Sequence, residues 1–446
     1  TIDQLTAAAH AGGVAGSGTV TGLPAATGTG AGTGTTTTPT TPTDSAKPGT
    51  GRSAAGPATT TGSGSAPATS GRCTAPAAPV SFGQIGSFSG VLGAIFASAR
   101  TTAAIYAQYA NASGGLACHP VTVYSVDDGG DPSRAAALAQ DLIGTKKVSA
   151  LVATFAPLSM GGILPVVERN KTPMIGGDAV DPAWFSRPLL FPQGAGLDAM
   201  IEGSLRLTVS QGKTKLGLLY CVEASLCTSI AKTLPERAKA VGAEMVYQSP
   251  VSLTQTDFTA QCQNAKNAGV QSFGMGVDGS AIARVARSCA ALGYFPQFAS
   301  GGGVISPPQA RDPGIRHNTM TTSSGTAPWF LTDTPGQQEY AGALARYSPG
   351  MEPDGNSMQA WASMKLVEAA VRNLGVAARA KPLLSGDLLD GLGKVKHETL
   401  DGLSPPFTFS PGQKAAPQLH CVYFELLTDK GWTAPNGSKP VCTNGT

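Results

Sequence analysis

From residue 79 onward, short apolar runs rich in β-branched residues alternate with longer helical segments along the chain. Strands are predicted at 79–86, 121–128, 149–155 and 172–177, with helices at 90–113, 132–144 and 159–170 between them. This alternation is the signature of a parallel sheet with helices on both faces. The first half of the region is therefore predicted to be an α/β unit.

A second series of the same kind follows. Its strands are predicted at 215–221, 243–251, 270–276 and 296–300, and its helices at 225–241, 257–268 and 280–292. Each series is too short for a six-stranded double Rossmann domain, so two similar lobes are expected. A further helix at 357–375 carries apolar residues near 3.6-residue spacing, which predicts that it packs in a core.

Residues 1–78 have a different composition. From about Gly12 to Ala78 the chain consists almost wholly of Thr, Gly, Ala, Ser and Pro, without apolar periodicity. Such a segment cannot bury enough apolar area to offset its ordering entropy. We therefore predict a disordered stalk over 1–78 that acts as a tether.

The charge of the chain argues against two classes of partner. The net charge is only +3 over 446 residues and Lys and Arg do not cluster, so neither nucleic acid nor an anionic membrane surface is expected. No run of 18 apolar residues occurs, so we expect a soluble monomer. A signal peptide or lipid anchor removed before Thr1 is left open.

Eight cysteines are scattered along the chain, and none stands in a C-x-x-C spacing. An even, scattered set favours structural disulfides in an oxidising compartment over free thiols in the cytosol. Eight cysteines allow 105 pairings. Pairing between cysteines that follow one another along the chain favours Cys73–Cys118, Cys221–Cys227, Cys262–Cys289 and Cys421–Cys442.

Three glycines, Gly274, Gly276 and Gly279, match the G-x-G-x-x-G spacing of dinucleotide-binding proteins. That reading needs an acidic residue about 20 positions further on, at the end of the next strand. The strand at 296–300 runs instead into GGGVIS. No dinucleotide or other cofactor is therefore expected.

The chain lacks the motifs of common catalytic and metal sites. Its five histidines are dispersed, and position 88, where a nucleophile elbow needs serine, is phenylalanine. Asp127, Asp128 and Asp131 lack the spacing of a calcium loop, and Asp131 before Pro132 fits a helix N-cap better. We predict no catalytic residue and no metal ligand.

Three features of residues 79–143 occur together in a known family. A strand enters a Ser/Gly-rich turn, a long helix ends in N-x-x-G-G, and a strand ends in Asp127-Asp128 shortly before an Asp-Pro helix start. In these features the segment resembles the first lobe of type I periplasmic solute-binding proteins, in the leucine/isoleucine/valine-binding branch. The resemblance extends to about residue 430.

The resemblance implies an α/β fold of two Rossmann-like lobes joined by three crossing strands, with the ligand between the lobes. Lobe one is expected to comprise 79–193 and 322–400, and lobe two 194–321 and 401–446. In open α/β sheets ligands bind beyond the carboxyl ends of the strands, where helix N-termini present free N–H groups. Candidate site residues therefore lie in strand-to-helix turns.

In lobe one, the candidate ligand-binding residues are Ser87, Phe88 and Ser89 after the first strand, Phe155, Ala156, Pro157 and Leu158 after the third, and Gly177, Asp178 and Ala179 after the fourth. Phe88 is expected either to wall the ligand or to pack in the core. The family holds a ligand carboxylate at the last two turns. Here Asp178 stands where a small residue is usual, and an unpaired carboxylate beside an anion is unfavourable.

In lobe two, the candidates are Glu223 and Ser225 after the first strand, Val277 and Asp278 after the third, and Gly302 after the fourth. Amino-acid binders of the family have an acidic residue near the last position, to pair with the ligand ammonium. This chain has glycine there, so we expect a ligand that is not a standard α-amino acid, although Asp178 or Asp278 could substitute. The candidates for apolar walls are Phe88, Phe155, Trp184, Tyr220 and Trp329, and the two tryptophans are equally compatible with surface or hinge packing.

The function implied by the resemblance is that of an extracytoplasmic binding protein. It captures a small organic molecule by lobe closure, presents it to the membrane permease of an ABC importer, and breaks no bond. A ligand-sensing receptor domain of the same fold and a binder of branched-chain or other amino acids are the alternatives.

Overall fold

The computed structural model describes residues 73, 75–223, 225–301 and 303–443. Most of the predicted stalk, residues 1–72, lies outside the described residues. The described chain contains two β-sheets, each flanked by helices.

The first sheet has five parallel strands in the order β2-β1-β3-β4-β5. The strands are β1 (Val80–Gly86), β2 (Val121–Asp127), β3 (Ala150–Thr154), β4 (Met174–Gly177) and β5 (Leu190–Phe191), connected by the helices α1 (Gly93–Ala112), α2 (Pro132–Gln140) and α3 (Met160–Asn170). Asp131 accepts hydrogen bonds from the backbone N–H groups of Ser133 and Arg134. It is therefore the N-cap of α2, with Pro132 at the first helical position, where a missing N–H costs nothing.

The second sheet begins after the chain leaves β5. Its elements are α4 (Leu197–Ser210), β6 (Lys215–Cys221), α5 (Ser225–Ala240), β7 (Glu244–Val251), α6 (Thr259–Asn267), β8 (Ser272–Gly276), α7 (Gly279–Ala291), β9 (Gln297–Gly301), α8 (Pro307–Ala310), α9 (Pro313–His317) and β10 (Met320–Ser324). Strands β6 to β10 pair in parallel, in the order β7-β6-β8-β9-β10.

The chain then returns to the first sheet and crosses back once more. Helix α11 (Gly355–Asn373) packs on the first sheet, with α10 (Pro335–Tyr347) against α1 and α12 (Ser385–Leu392) against α11. Strands β11 (Cys421–Thr428), β12 (Gly431–Thr433) and β13 (Val441–Cys442) join the second sheet. Strand β11 is antiparallel to β10. The predicted fold of two Rossmann-like lobes with three crossings is confirmed.

The lobe boundaries stay a prediction. One observation from sheet pairing and one from core packing bear on them. Strand β10 extends the second sheet as far as Ser324. The side chains of Phe407 and Phe409 pack in the hydrophobic core of the first lobe, together with residues of α11.

Helix α11 forms the centre of the first lobe. Trp361 is fully buried and is surrounded by Tyr106, Tyr109 and Tyr340, with ring centroids 5.0 to 5.9 Å from its own. The predicted apolar face of this helix accordingly packs in a core, where aromatic pairs in tilted and edge-on arrangements contribute beyond their buried area.

Four disulfides connect neighbouring elements, and they join the predicted pairs. They are Cys73–Cys118, Cys221–Cys227, Cys262–Cys289 and Cys421–Cys442. In the part of the chain that the structure describes, no cysteine is free, and no helix is both long and apolar enough to cross a bilayer.

Removal of the disulfide between α6 and α7 is expected to destabilise the protein by about 3.5 kcal/mol. Cys262 and Cys289 are both fully buried and close a loop of 27 residues, and the loop-closure entropy of the unfolded chain sets this magnitude. The double alanine variant should show the loss in urea unfolding at equilibrium. The matched variant without Cys221–Cys227, whose sequence separation is only 6, should lose about 2 kcal/mol. An equal loss in the two variants would contradict the prediction.

Candidate functional site

The turn after β1 is held in place by the end of β2. The Ser87 hydroxyl donates to Oδ1 of Asp128 at 2.8 Å. Oδ1 of Asp127 accepts the backbone N–H groups of Phe88 at 2.9 Å and Ser89 at 3.2 Å. Ser87 is buried and Ser89 is exposed. The polar groups of this turn are therefore already paired with two carboxylates of the neighbouring strand.

Asp127 is the main acceptor of this turn. Its partial burial would raise the pKa, but hydrogen bonds from Ser89, Gly129 and Phe88 outweigh burial and lower the pKa of the carboxyl below its usual value. Gly129 and Gly130 donate backbone N–H groups to Asp127 and Asp128 respectively. The two aspartates therefore close the loop between β2 and α2.

Phe88 is half-buried and lies over its own strand. Its ring occupies the space where a side chain at Gly86 would project, and the guanidinium of Arg100 lies 5.5 Å from the ring centroid. Phe155 is fully buried and packs on Phe96. Of the two phenylalanines considered as ligand walls, Phe88 thus remains partly accessible and Phe155 belongs to the core.

The turns after β3 and β4 are joined by a single carboxylate. Asp178 is 3% exposed and accepts the backbone N–H of Ala156 at 3.1 Å and that of Val180 at 2.9 Å. Burial raises the pKa of Asp178 to about 7, because these hydrogen bonds offset only part of the desolvation of the charge. Asp178 therefore ties the two strand ends together.

Gly177 is paired in a similar way by the side-chain amide of Gln193. Its N–H donates to Oε1 of Gln193 at 3.0 Å, and its carbonyl accepts from Nε2 at 2.8 Å. Ala156 and Ala179 are buried, Pro157 is half-buried, and Leu158 is 41% exposed. Gln193, which lies in the first crossing segment, escaped the sequence reasoning because nothing in its local sequence marks it.

In lobe two, the two predicted acidic residues accept hydrogen bonds from the protein's own loops and helix N-terminus. Glu223 is exposed and accepts the Ser252 hydroxyl at 2.7 Å and the Leu253 N–H at 2.8 Å. Its slight burial would raise the pKa, but these hydrogen bonds lower it below the usual value for glutamate. Asp278 is the N-cap of α7, where it accepts the N–H groups of Ser280 and Ala281. The sequence Asp-Gly-Ser before an apolar helical pattern could have indicated that cap.

Three predicted residues of lobe two remain. Val277 is buried in the core beside α7. Ser225 is the first residue of α5, and its side chain lies outside the described atoms. Gly302 lies outside the described residues.

Other backbone segments of the same chain approach the glycines of the dinucleotide-like motif closely. A Cβ atom at Gly274 or Gly276 would lie 3.1 Å from a backbone carbonyl of β6, and one at Gly279 would lie 3.0 Å from the carbonyl of Val304. All three distances are tighter than side chains normally allow. The spacing thus reflects close approach of backbone to backbone within lobe two.

A cavity of about 200 Å³ lies between the lobes, next to the turn after β4. Lobe one contributes Ala179, Val180, Asp181, Pro182 and Phe185 to its wall, and lobe two contributes Leu197, Asp198, Leu226, Ile230 and Arg237 among others. Its wall therefore combines apolar side chains with three charged side chains and the polar side chains of Ser229, Thr233 and Gln418. Of the predicted site residues whose side chains the structure describes, Ala179 alone lines this cavity.

The aromatic residues proposed as walls pack elsewhere. Trp184 is fully buried in the core of lobe one. Trp329, in the second crossing segment, packs edge-on against Trp432 of β12 with ring centroids 4.9 Å apart. Trp329 thus follows the hinge-packing alternative, whereas Trp184 packs in the core, which neither alternative anticipated.

Two contacts connect the lobes on another side of the cleft. Nδ2 of Asn356, at the start of α11, donates to the carbonyl of Gly303, just after β9, at 2.8 Å. It also donates to the carbonyl of Ile95 in α1 at 2.9 Å. Arg311 pairs with Glu352 between the same two regions, and both side chains are more than half exposed. Asn356 is the better-ordered link, because exposed ion pairs contribute little.

The chain is similar to known proteins in both sequence profile and fold. The sequence profile of the family described as periplasmic binding protein matches residues 79–424. No curated protein matches the sequence.

Solved structures share the fold at low sequence identity. A fatty acid ABC transporter substrate-binding protein from Thermomonospora curvata is 18% identical, with a TM-score of 0.68, covering 81% of this chain and 93% of that chain. A solute-binding protein of an ABC transporter from R. palustris, in complex with benzoate, is 15% identical, with a TM-score of 0.66 and coverage of 82% and 98%. A branched-chain amino acid transporter substrate-binding protein from Streptococcus pneumoniae, in complex with isoleucine, is 19% identical, with a TM-score of 0.66 and coverage of 82% and 99%.

Proposed function

Because the chain belongs to the periplasmic binding protein family, we propose that it is an extracytoplasmic protein that captures a small organic solute between its lobes. It then delivers the solute to the membrane permease of an ABC importer. The observation that carries this proposal is the cavity whose wall comes from both lobes. Binding proteins and solute-binding proteins of ABC transporters recur among the structures that share the fold.

The cavity supports capture by closure. Ala179 and Val180 lie on one side and Leu226 and Ile230 on the other, so a solute touches both sets only when the lobes are close together. A ligand shifts an open–closed equilibrium by its differential affinity for the two states. Contact with both lobes supplies that difference without a catalytic group, so we propose a binder that performs no reaction.

The cavity also bears on the size and kind of the solute. Pockets for drug-sized ligands span about 300–1,000 Å³, so a volume of about 200 Å³ suits a compact molecule. The related structures carry benzoate or isoleucine, or are described as serving fatty acids. We propose a small solute with an apolar body that is not a standard α-amino acid.

Thermal unfolding and small-angle X-ray scattering together test the proposal. A panel of amino acids, aromatic acids, amides, amines and nicotinamide cofactors is added to the purified chain. At least one small organic solute should raise Tm and reduce the radius of gyration. A response to a nicotinamide cofactor alone would refute the transport function, and stabilisation by leucine would favour the amino-acid alternative.

Replacement of Asn356 by alanine is expected to weaken solute binding about fivefold. The substitution removes the hydrogen bond between Asn356 and the Gly303 carbonyl, and a net loss of about 1 kcal/mol in the closed state gives this factor. Isothermal titration with the best solute of the panel measures the change.

A matched control for this variant is Asn111→Ala. Asn111 bonds both the N–H and the carbonyl of Val121 within lobe one. The Asn111→Ala variant should therefore have a lower Tm than the wild type and an unchanged solute affinity. Equal affinities in the wild type and Asn356→Ala would show that the contact plays no part in closure.

A further inference from the structure

Four N–H groups in the turns at the carboxyl edge of the first sheet already have side-chain acceptors. Free N–H groups at such an edge are the usual donors to an anionic group of a ligand. Here Asp178 accepts from Ala156, Asp127 accepts from Phe88 and Ser89, and Gln193 accepts from Gly177. The chain therefore supplies its own acceptors at all three of the turns after β1, β3 and β4.

The charged side chains of the interlobe cavity lead to the same conclusion. Arg237 is the cation among the residues that line it, and its guanidinium already lies 2.5 Å from Oδ1 of Asp198. Asp181 also lines the cavity. The wall therefore carries one net negative charge, and the buried Asp178 lies directly behind Ala179 and Val180.

Resting on the proposed function, we propose that the solute carries no carboxylate and is neutral or cationic at neutral pH, and that Asp178 and Asp198 determine this specificity. Asp178 is a positioning residue, because it acts through the N–H groups of Ala156 and Val180. Asp198 acts through the guanidinium of Arg237. A carboxylate in the cavity finds the N–H of Val180 already bound to Asp178 and the guanidinium of Arg237 already bound to Asp198, and an approach to Asp181 is repulsive.

Matched ligands that differ only in the head group test this selectivity. The probes are 3-methylbutanoate, 3-methylbutanamide and 3-methylbutylamine, with benzoate, benzamide and benzylamine as an aromatic set. In the wild type, the amide or the amine of one set should bind at least about tenfold more tightly than its carboxylate, measured by isothermal titration. Tighter binding of a carboxylate than of its amide and amine would overturn the inference.

Two variants should reduce the preference for the amide or amine over the carboxylate. Asp198→Asn releases the Arg237 guanidinium, and the side chain of Asp198 is 74% exposed, so folding should not suffer. Asp178→Asn leaves one oxygen for two N–H donors and thereby frees one of them. Each variant should raise carboxylate affinity at least about fivefold and leave amide affinity within about twofold. A merely structural role would weaken all ligands together.

The control variant is Asp429→Asn, an exposed carboxylate on the turn after β11, which should leave the selectivity unchanged. Unchanged selectivity in Asp198→Asn, which does not depend on the tolerance of a buried site, would also overturn the inference. If no ligand of either set, nor any member of the wider panel, stabilises or compacts the wild type or the variants, the proposed function itself is contradicted.

Discussion

Replacement of Lys365 by methionine is expected to destabilise the protein by about 4 kcal/mol, the largest effect of any substitution considered. Lys365 lies on α11 in the core of lobe one and its side chain is only 2% exposed. Its ammonium lies 2.9 Å from Glu339, 2.9 Å from Glu368 and 3.1 Å from Asp401. Loss of the cation leaves two largely buried carboxylates without a counter-charge, and this uncompensated charge sets the magnitude.

Two tyrosine hydroxyls complete the buried cluster around this lysine. Tyr106 donates to Glu368 at 2.9 Å, and Tyr109 donates to Glu339. Burial alone would lower the pKa of Lys365, but the carboxylates of Glu368 and Glu339 raise it above the ordinary lysine value. The lysine therefore remains charged, and the cluster connects α1, α10 and α11 across the core.

Equilibrium unfolding in urea measures this effect, with two comparisons. Arg372→Met removes a more exposed cation on the same helix as Lys365, which pairs with Glu398 beyond the end of α12. This variant should cost no more than about 1 kcal/mol. The double variant Lys365→Met with Glu368→Gln removes one unpaired charge and should recover part of the loss. A cost below about 1 kcal/mol for Lys365→Met would contradict the prediction.

The thermal stability of the wild type is expected to fall as pH rises from about 5 to about 8, and Glu425→Gln should remove most of that fall. Glu425 lies on β11 and is fully buried. Burial raises the pKa of its carboxyl to about 8, and a hydrogen bond from Ser324 offsets only part of this. Within the described chain no group donates to its second oxygen, Oε2.

The direction of the pH effect follows from proton linkage. Since the folded pKa lies above the unfolded one, the folded state binds the proton more tightly. The stability contributed by neutral Glu425 is therefore fully present below about pH 4.5 and is lost as pH rises through about 8. The shift corresponds to about 5 kcal/mol. Asp178, with a pKa of about 7, contributes in the same direction over a lower range.

Differential scanning calorimetry between pH 5 and pH 9 tests this prediction. In Glu425→Gln the slope of Tm against pH should be much smaller than in the wild type, because the neutral amide has no proton to release. Glu244→Gln, at an exposed position on β7, should keep the wild-type slope. Identical slopes in the wild type and Glu425→Gln would refute the assignment.

The secondary structure was largely predictable because its signals are local. Strand β6 begins at Lys215 and ends at Cys221 as expected from its apolar run, and α11 differs from the predicted 357–375 by two residues at each end. Apolar periodicity and capping residues act over a few positions, so a single sequence reveals them.

Helix α4 shows where such local signals fail. No element is predicted at 197–210, where Gly203 and Ser204 interrupt the apolar pattern. These small residues are required by packing: a side chain at Gly203 would overlap Val422, and Ser204 donates to the Ser300 carbonyl. The close approach of β9 and β11 therefore weakens the signal of the helix that covers them.

The buried charges were equally hidden from the sequence. Lys365 stands in an apolar helical stretch, and its partners Glu339 and Asp401 lie on segments that meet it only in the folded chain. Glu425 stands inside the apolar run of β11. A buried charge can be identified only when the groups that pair with it are known, and the positions of those groups depend on tertiary packing.

By itself, the sequence determined the alternation of strands and helices, the two-lobed fold that this alternation and the family resemblance imply, and the strand-end turns in which to look for a site. Only the tertiary structure decided what those turns do. Asp178 reaches Ala156, 22 positions earlier, because β3 and β4 are parallel neighbours whose carboxyl ends meet at one edge. Hydrogen bonds across such an edge depend on strand order and register, which no local pattern encodes.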